Sequence, residues 1–200
     1  MEGIAEIISL DRDWTLALNS WHNPVTDAVW LFFSHVQIWY AMYLIIIVFL
    51  FIRLGWKRAL AVTLSCVLFV VACDQFASLV KAYAHRLRPM EDPGMLERGL
   101  NVLEGSGGLY GFFSAHAANA LGFAVCSTMG FRNDRRRSYR GYAIFIYTWA
   151  LLVGISRVFV GKHFIGDVLT GFAVGLLLGW LFGALGRLVI KKTEKKSAPI

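Results

Sequence analysis

The sequence predicts an all-α membrane protein, in which a bundle of five to six transmembrane helices follows an amphipathic N-terminal helix. Composition is the first reason: 57% of the 200 residues are hydrophobic and 16% are charged, whereas soluble domains carry about 25% charged residues. The second reason is the presence of several apolar runs of about 18 residues or more, which is the length that crosses a bilayer. We therefore treat residues 1–200 as a single integral-membrane domain.

The first 23 residues are predicted to form an interfacial helix. Within residues 4–21, apolar side chains such as Ile4, Ile7 and Trp14 recur at nearly helical spacing between polar ones. A helix of this kind lies on the membrane surface, and tryptophans such as Trp14 and Trp21 anchor it there.

Residues 25–190 are predicted to form the helix bundle. The spans fall at 37–53, 58–80, 114–131, 140–158 and 166–190. Residues 25–35 are also apolar, and hydropathy alone leaves open whether they lie at the interface or form a sixth crossing. The tail 191–200 (KKTEKKSAPI) is polar and charged, and we expect it to be disordered.

The distribution of positive charge predicts the orientation. Thirteen of the twenty lysines and arginines fall in two loops and at the C-terminal end: Arg53, Lys57, Arg58, Arg132, Arg135, Arg136, Arg137, Arg140, Arg187, Lys191, Lys192, Lys195 and Lys196. The positive-inside rule makes this side cytoplasmic. The net charge of +7 is explained by topology, so we expect no nucleic-acid partner. The loop 82–113 and the turn 159–165 then face outside.

Cations close the second predicted span, in the segment KAYAHRLRP. Lys81 stands at its end, and Arg88 follows seven residues later, directly before Pro89. A guanidinium group can bind two phosphate oxygens at once, and a lysine adds a point charge. Cations at helix ends also snorkel towards water without binding a ligand. Lys81 and Arg88 are therefore candidate phosphate ligands only in combination with the two segments that follow.

Ser114-Ala115-His116 opens the third span. The first turn of a helix presents free backbone N–H groups and the positive end of the helix dipole, and both attract anions. Ser114 can cap the helix and bind a phosphate, while His116 has the ordinary titration range of a general acid. By itself the segment also fits a plain helix cap followed by an interfacial histidine.

The segment SRVFVGKHFIGD, residues 156–167, precedes the fifth span. His163 and Asp167 are four residues apart, so on a helix they share a face. A carboxylate there can take the proton of one ring nitrogen and leave the other free to attack phosphorus. Arg157, six residues before His163, can reach the same phosphate. A surface His–Asp pair is the alternative, but an ionisable group at the start of an apolar span is costly and usually functional.

Taken together, the three segments resemble the signature of the type 2 phosphatidic acid phosphatase superfamily, which includes the vanadium haloperoxidases. That signature is Lys, six residues, Arg-Pro; then Pro-Ser-Gly-His; then Ser-Arg, five to six residues, His, three residues, Asp. The first and third parts match here in full, from Lys81 to Pro89 and from Ser156 to Asp167. In the second part Phe113 and Ala115 replace the usual proline and glycine. The resemblance covers residues 55–190.

The resemblance implies a phosphohistidine mechanism. His163 would be the nucleophile, with Asp167 orienting it and His116 as the general acid. The phosphate would be held by side chains and backbone N–H groups of Lys81, Arg88, Ser114, Ala115 and Arg157. Supporting roles fall to Pro89, Ser156 and, three residues after His116, Asn119. We expect no cofactor and no metal, so the enzyme would be a metal-independent hydrolase of phosphoric esters or anhydrides.

The expected substrate is a lipid phosphate at the outer face of a bacterial cytoplasmic membrane, with the C-terminus in the cytoplasm. Undecaprenyl diphosphate comes first, and phosphatidylglycerophosphate, phosphatidic acid and lipid A phosphates are alternatives. A transporter with an anion-binding vestibule would leave the His–Asp pair unexplained, and a soluble haloperoxidase would not need the spans. A non-catalytic lipid-binding protein stays open because of Phe113 and Ala115. Oligomeric state is also open, since the glycines of the fifth span can pack a partner or their own bundle. Asp74, inside the second span, can pair within the bundle or orient Lys81.

Overall fold

The computed structural model describes residues 2–105 and 107–197, and over these residues the chain forms eight α-helices and no β-strand. The α-helices are α1 (Glu2–Asn19), α2 (Pro24–Ser34), α3 (Tyr40–Leu54), α4 (Trp56–Ala84), α5 (Pro93–Glu97), α6 (Ala115–Phe131), α7 (Arg140–Phe159) and α8 (Ile165–Ser197). Short 3-10 helices cover Val36–Trp39 and Pro89–Glu91. The predicted all-α class is confirmed.

Four helical segments in the described part of the chain are long and apolar enough to cross a membrane: Val36–Leu54, Trp56–Ala84, Arg140–Phe159 and Ile165–Lys195. Helix α6, with 17 residues, runs through the bundle between α4, α7 and α8 and is largely buried. It is the fifth helix of the predicted set. Large apolar side chains on the outside of the bundle, such as Ile52, Ile144 and Leu177, are exposed, as expected for a surface that faces lipid.

Helices α6 and α8 are packed with their backbones almost in contact. A Cβ atom on Gly179 would lie 2.4 Å from the carbonyl oxygen of Gly122, and one on Gly171 would lie 2.5 Å from that of Ser114. Only glycine permits such an approach. The glycines of the fifth span therefore pack within their own bundle. The matched order of the contacts makes the two helices parallel, so α6 and α8 begin side by side.

Helix α2 shows that residues 25–35 do not form a sixth crossing. Asn23 caps it in a capping box with Thr26, and Pro24 occupies its first turn, both typical of a helix start. Eleven residues span only about 16 Å, whereas a membrane core is about 30 Å thick. The helix instead lies across one end of the bundle, where Trp30 stacks on Phe159 with ring centroids 4.3 Å apart.

Helix α1 docks on the same end of the bundle through its polar side. Thr15 and Asn19 are buried, while Ile4, Ile7 and Trp14 are exposed. The predicted amphipathic helix is present, and its apolar side is left open. Its relation to a membrane surface stays a prediction.

The prediction of a disordered tail over 191–200 is wrong for residues 191–197, because α8 continues to Ser197. Ile190 is buried, and Arg58 at the start of α4 pairs with Glu194 at 2.6 Å. These contacts tie the charged end of α8 to α4, and lysine and glutamate are good helix formers. Residues 198–200 lie outside the described part of the chain.

The long connection between α4 and α6 is folded against the end of the bundle. Leu87 and Tyr110 form an isolated antiparallel bridge that pairs the two ends of the connection. In its middle, Met95 and Leu100 pack with Phe164 in a small apolar cluster. This arrangement brings residues 86–88 and 109–111 next to the start of α8.

Candidate active site

The three polar segments meet at one end of the bundle, which we call the site end. There α4 and α7 finish, close to Lys81 and Arg157, and α6 and α8 begin, close to Ser114 and His163. Two helix N-termini and two cation-bearing C-termini therefore face the same place. The parallel packing of α6 on α8 is the cause, since it fixes both N-termini at one level.

His163 and Asp167 are buried side by side. The Nδ1 atom of His163 lies 3.4 Å from Oδ2 of Asp167, and the two side chains are 2% and 0% exposed. The prediction placed both residues on one helix, but His163 lies in the turn before α8 and Asp167 in its first turn. The same Oδ2 atom accepts a hydrogen bond from the Phe164 N–H at 3.1 Å. Asp167 thus holds the turn and faces the imidazole at the same time.

Glycine makes this turn possible. Gly161 has a φ of +80°, and a Cβ atom there would lie 2.9 Å from the Asn101 carbonyl oxygen. A residue with a side chain would be strained at this φ and would collide with backbone. The N–H groups of Lys162 and His163 both donate to the Arg157 carbonyl oxygen, which folds the chain back from α7 towards α8.

The environment of His163 favours the neutral imidazole. Burial, reinforced by the positive charges of Arg157, Arg88 and Lys81, lowers the pKa of His163 well below its ordinary value. Because Nδ1 faces Asp167, Nε2 is the nitrogen left free with its lone pair. The geometry therefore leaves Nε2 as the ring nitrogen that can act as a nucleophile, with cations around it.

Two of the predicted cations of the site, Arg88 and Arg157, are oriented by protein groups. Arg88 is half-buried and donates through Nε to the Tyr110 carbonyl oxygen at 3.3 Å. Arg157 is buried and donates through Nη1 to the backbone and side-chain oxygens of Ser34. Its Nε atom is buried and makes no hydrogen bond to the described residues, so one of its donors has no partner there.

At the start of α6, Ser114 is the helix cap and is fully buried. Its Oγ atom accepts from the Ala117 N–H at 3.4 Å, and its own N–H donates to the Asp167 carbonyl oxygen at 3.0 Å. This bond ties the first turn of α6 to that of α8. Ala115 and His116 then occupy the first helical positions, where N–H groups have no partner inside the helix. His116 interacts electrostatically with Arg157 and His163.

Phe113 takes an apolar role in place of the usual proline. The side chain is buried in the main core, with its ring centroid 5.7 Å from that of Phe76. The Phe112–Phe113 peptide bond is cis. The departure from the family pattern thus leaves Ser114 at the helix cap.

The three residues predicted to support the site have structural contacts. Pro89 is buried and opens the 3-10 helix after Arg88. Ser156 donates to the Val153 carbonyl oxygen within α7. Asn119 donates to Oδ1 of Asp74 at 2.7 Å, so Asp74 has a partner across the bundle on α6.

The sequence analysis did not identify Glu104, a carboxylate that contacts two cations near the site. Glu104 accepts from Lys162 Nζ at 2.7 Å and from the Ser34 hydroxyl, and lies 3.7 Å from Arg157 Nη2. Burial alone would raise the pKa of Glu104, but the hydrogen bonds from Lys162 and Ser34 and the charge of Arg157 outweigh it and lower the pKa to about 2. Its location directly before a glycine-rich stretch gave no hint of this role, because the contact depends on tertiary folding.

Arg86 was also missed. It lies between Lys81 and Arg88 in sequence, and its Nη1 atom donates to Oδ1 of Asp167 at 2.7 Å. The sequence did contain a signal for Arg86, because it is a third cation in the short segment that holds Lys81 and Arg88. Among the described residues, no group of three His, Cys, Asp or Glu side chains is placed to hold a metal ion.

The chain matches a known family of proteins. The model of the PAP2 superfamily matches residues 59–188. A lipid A 4′-phosphatase of Porphyromonas gingivalis is 33% identical over 179 residues, covering 86% of this chain and 71% of the relative. The undecaprenyl-diphosphatase BcrC of Bacillus subtilis is 29% identical over 164 residues, covering 82% of this chain and 76% of that protein.

A crystal structure of a PAP2-type phosphatidylglycerolphosphate phosphatase from Bacillus subtilis shares the fold. Its TM-score is 0.68 at 23% identity, covering 98% of this chain and 89% of the other. The matched stretch runs from within α4 to within α8 and contains Lys81, Ser114, Arg157 and His163. The chain therefore belongs to the PAP2 superfamily.

Proposed function

We propose that the protein is a membrane lipid phosphatase that works through a phosphohistidine on His163. One observation carries the proposal: a buried imidazole is held by Asp167 at one nitrogen, while cations from two of the three polar segments surround it. An anion-binding vestibule alone would need the cations but not the His–Asp pair, and a lipid-binding protein would need neither in this arrangement.

In the proposed reaction, Nε2 of His163 attacks phosphorus as the bond to the leaving oxygen breaks. Asp167 stabilises the imidazole through Nδ1, and His116 gives its proton to the leaving oxygen. A water molecule then attacks the phosphohistidine, with His116 taking its proton. The P–N bond breaks, phosphate leaves, and His163 is regenerated.

Charge stabilisation would come from the protein. Lys81, Arg88 and Arg157 would bind the equatorial oxygens, with the free N–H groups of Ala115 and His116 at the start of α6. Ser114 holds that turn in place. These groups supply the positive charge that a metal ion supplies in other phosphatases, so we propose metal-independent hydrolysis.

The relatives and the surface beside the site support a lipid substrate. A groove of about 880 Å³ opens next to Arg86, and most of its lining is apolar, including Ile7, Ile8, Trp14, Phe112, Phe164 and Leu169. His163 does not line this groove. Arg86 lies between the groove and the His163–Asp167 pair. An acyl chain in this groove would keep its phosphate near the site end.

Among lipids, the 4′-phosphate of lipid A is the first substrate to test, because two relatives that bear this name match 86% of this chain at 32–33% identity. Undecaprenyl diphosphate, the expectation from sequence, is the second, supported by the match to BcrC. Phosphatidylglycerophosphate and phosphatidic acid complete the panel.

We further propose that the protein lies in a bacterial cytoplasmic membrane with the site end outside and the C-terminus inside. The junction of α3 and α4, the segment 132–140 and the end of α8 together carry thirteen of the twenty lysines and arginines. All three lie at the end of the bundle opposite the site, in keeping with the positive-inside rule. Two variants, Asp13→Cys and Ser138→Cys, would test this orientation. The native Cys66, Cys73 and Cys126 are buried and should not react. An impermeant thiol reagent should label only the first in intact cells.

The deciding experiment measures phosphate release from the lipid panel by the purified protein in detergent, with EDTA present. His163→Ala should lose all release, whereas His22→Ala, at an exposed histidine near the site end, should keep it. Trapping of ³²P on His163 after acid-free quenching would identify the intermediate. Release that needs a divalent cation, or that survives His163→Ala, would refute the mechanism.

A further inference from the structure

Arg86 joins the candidate nucleophile pair to the N-terminal helix. Its Nη1 atom donates to Oδ1 of Asp167 at 2.7 Å and its Nη2 atom donates to Oδ2 of Asp11, on α1, at 2.6 Å. The guanidinium carbon also lies 4.3 Å from the centroid of the Phe164 ring. With three such contacts on a planar group, Arg86 has little freedom to move.

The contact with Arg86 defines how Asp167 is turned. Oδ2 faces Nδ1 of His163 and accepts the Phe164 N–H, while Oδ1 accepts from Arg86. Each carboxylate oxygen therefore has its own partner. Loss of Arg86 would leave Oδ1 without its charged donor in a fully buried position, and Asp167 could then rotate away from His163.

Helix α1 also completes the first turn of α8. Oδ1 of Asp11 accepts from the Gly166 N–H at 2.8 Å, and Oγ1 of Thr15 accepts from the Ile165 N–H at 3.1 Å. These are the donors that a helix start leaves free. Asn19, one turn further along, bonds to backbone groups of Asn101, Val158 and Phe159. The polar side of α1 is thus bound to the segments on both sides of His163.

We propose that Arg86 is a positioning residue for Asp167 and that α1, through Asp11, holds Arg86 in place, which makes α1 a working part of the catalytic site. The inference rests on the proposed function, since it assigns Arg86 to the same reaction. Arg86 acts through Asp167 and does not contact phosphate in this arrangement. Because the apolar side of α1 faces outward, its polar side is the one that contacts the bundle and holds Arg86.

Several charged or titratable groups face the His–Asp pair and set its protonation together with Arg86. They are Lys81 from α4, Arg88 from the following segment, His116 from α6, Arg157 from α7, Lys162 from the turn and, beyond Arg86, Asp11 from α1. The positive charge of Arg86 favours the unprotonated forms of His163 and Asp167, although Asp11 offsets part of that charge. Arg86→Gln removes this cation.

The test compares Arg86→Gln, Arg86→Lys and Asp11→Asn with Asp13→Asn, using p-nitrophenyl phosphate and a lipid phosphate. Asp13 is the matched control, because it lies on α1 but pairs with Arg98 at an exposed site. Arg86→Gln should lower kcat by about 10- to 100-fold, the range usual for residues that orient a reacting group, with KM nearly unchanged. The acid limb of kcat/KM should move to higher pH.

Arg86→Lys should restore the acid limb and part of kcat, because it keeps the charge but not the two-pronged geometry. Asp11→Asn should lower kcat less than Arg86→Gln, since the amide oxygen can still accept from Gly166. Asp13→Asn should behave as wild type. A rise in KM at constant kcat would make Arg86 a substrate ligand, and a lower melting temperature with unchanged kinetics would make it purely structural; either result overturns the proposal.

A second measurement does not depend on turnover. ¹⁵N spectra of histidine-labelled protein report the tautomer and titration of His163. Wild type should carry its proton on Nδ1, and Arg86→Gln should weaken that preference and titrate at higher pH. Identical His163 signals in both proteins would overturn the positioning role even if the wild type released phosphate. An inactive wild type with altered signals in the variant would instead refute the proposed function alone.

Discussion

Gly175 of α8 lies directly against the backbone of Ala118 in α6: a Cβ atom on Gly175 would be 2.2 Å from the Ala118 carbonyl oxygen and 2.9 Å from its Cα. Backbone atoms cannot move aside as a flexible side chain can. The position therefore sets the distance between the two helices whose first turns form the site, and the distance between His116 and His163 depends on it.

Gly175→Ala should push α6 and α8 apart and lower both stability and activity. Forcing a methyl group into a packed interior costs about 1–3 kcal/mol, and because all the nearest atoms belong to the Ala118 backbone, we expect this site to be at the upper end. Thermal unfolding in detergent and phosphate release would measure the two effects. Gly141→Ala, in α7 with no neighbour within 4 Å, is the control and should be neutral. Equal melting temperatures for the two variants would contradict the packing argument.

His116→Ala should reveal the general acid through its dependence on the leaving group. Loss of a positioned acid costs about 10²–10⁴-fold when the leaving oxygen needs a proton. A lipid phosphate needs one, whereas p-nitrophenolate leaves without it. We therefore expect a large fall in kcat/KM for the lipid and a much smaller one for p-nitrophenyl phosphate. Equal losses on both substrates would assign His116 to phosphate binding instead.

Asp167→Asn should nearly abolish activity while preserving the fold. An amide can still accept from Phe164, but it cannot stabilise the imidazole as a carboxylate does, and comparable changes cost about 10⁴-fold. Circular dichroism and melting temperature would show that the protein remains folded. An Asp167→Asn variant within tenfold of wild type would show that His163 does not need the carboxylate.

The pH dependence of kcat/KM should show an acid limb below the ordinary range of histidine. Burial and the charges of Arg157, Arg88 and Lys81 lower the pKa of His163, so the imidazole stays neutral as pH falls through about 6.5. The nucleophile is then lost only at lower pH. Rates with p-nitrophenyl phosphate between pH 4 and 8 would measure the limb, and an acid limb at or above pH 6.5 would contradict the assignment.

Glu104→Gln should destabilise the site end, with an effect that depends on pH. Removing one partner from a largely buried ion pair costs about 3 kcal/mol, here because Lys162 and Arg157 lose their acceptor. Since the folded protein lowers the pKa of Glu104 from 4.5 to about 2, the stabilisation is complete above pH 4.5 and fades as pH falls towards 2.

The melting temperatures of wild type and Glu104→Gln would be measured at pH 7 and at pH 3. The difference between the two proteins should be smaller at pH 3. Glu97→Gln, at an exposed carboxylate in the same connection, should match wild type at both. If the difference in melting temperature between Glu104→Gln and wild type grew on acidification, it would contradict a lowered pKa for Glu104.

Local features of the sequence predicted much of the fold and the site. Apolar runs placed the five bundle helices to within a few residues at most boundaries, because a helix in lipid must be apolar over a fixed length. The end of α8 is the exception, since the charged residues after Ile190 are helical through contact with α4. The spacing of Lys81, Ser114 and His163 in their motifs identified the three segments that meet at the site end.

The residues that escaped prediction are those whose partners are distant in sequence. Arg86 and Asp11 are 75 positions apart, and Glu104 meets Ser34 and Lys162 only after the connection folds over α7. A hint existed in α1, where Asp11, Thr15 and Asn19 repeat every fourth position and so share one face of the helix. Sequence periodicity can show such a polar stripe but cannot say what covers it.

By itself, the sequence determined the membrane class, most helix positions and the family motifs, and it predicted which groups would react. The tertiary structure alone decided that α6 and α8 begin side by side, that His163 lies in a turn and not in the helix, and that α1 reaches Asp167 through Arg86. The physical reason is that motifs and hydropathy are properties of neighbouring residues, whereas burial, ion pairing and helix contact are created when segments far apart in the chain exclude solvent together.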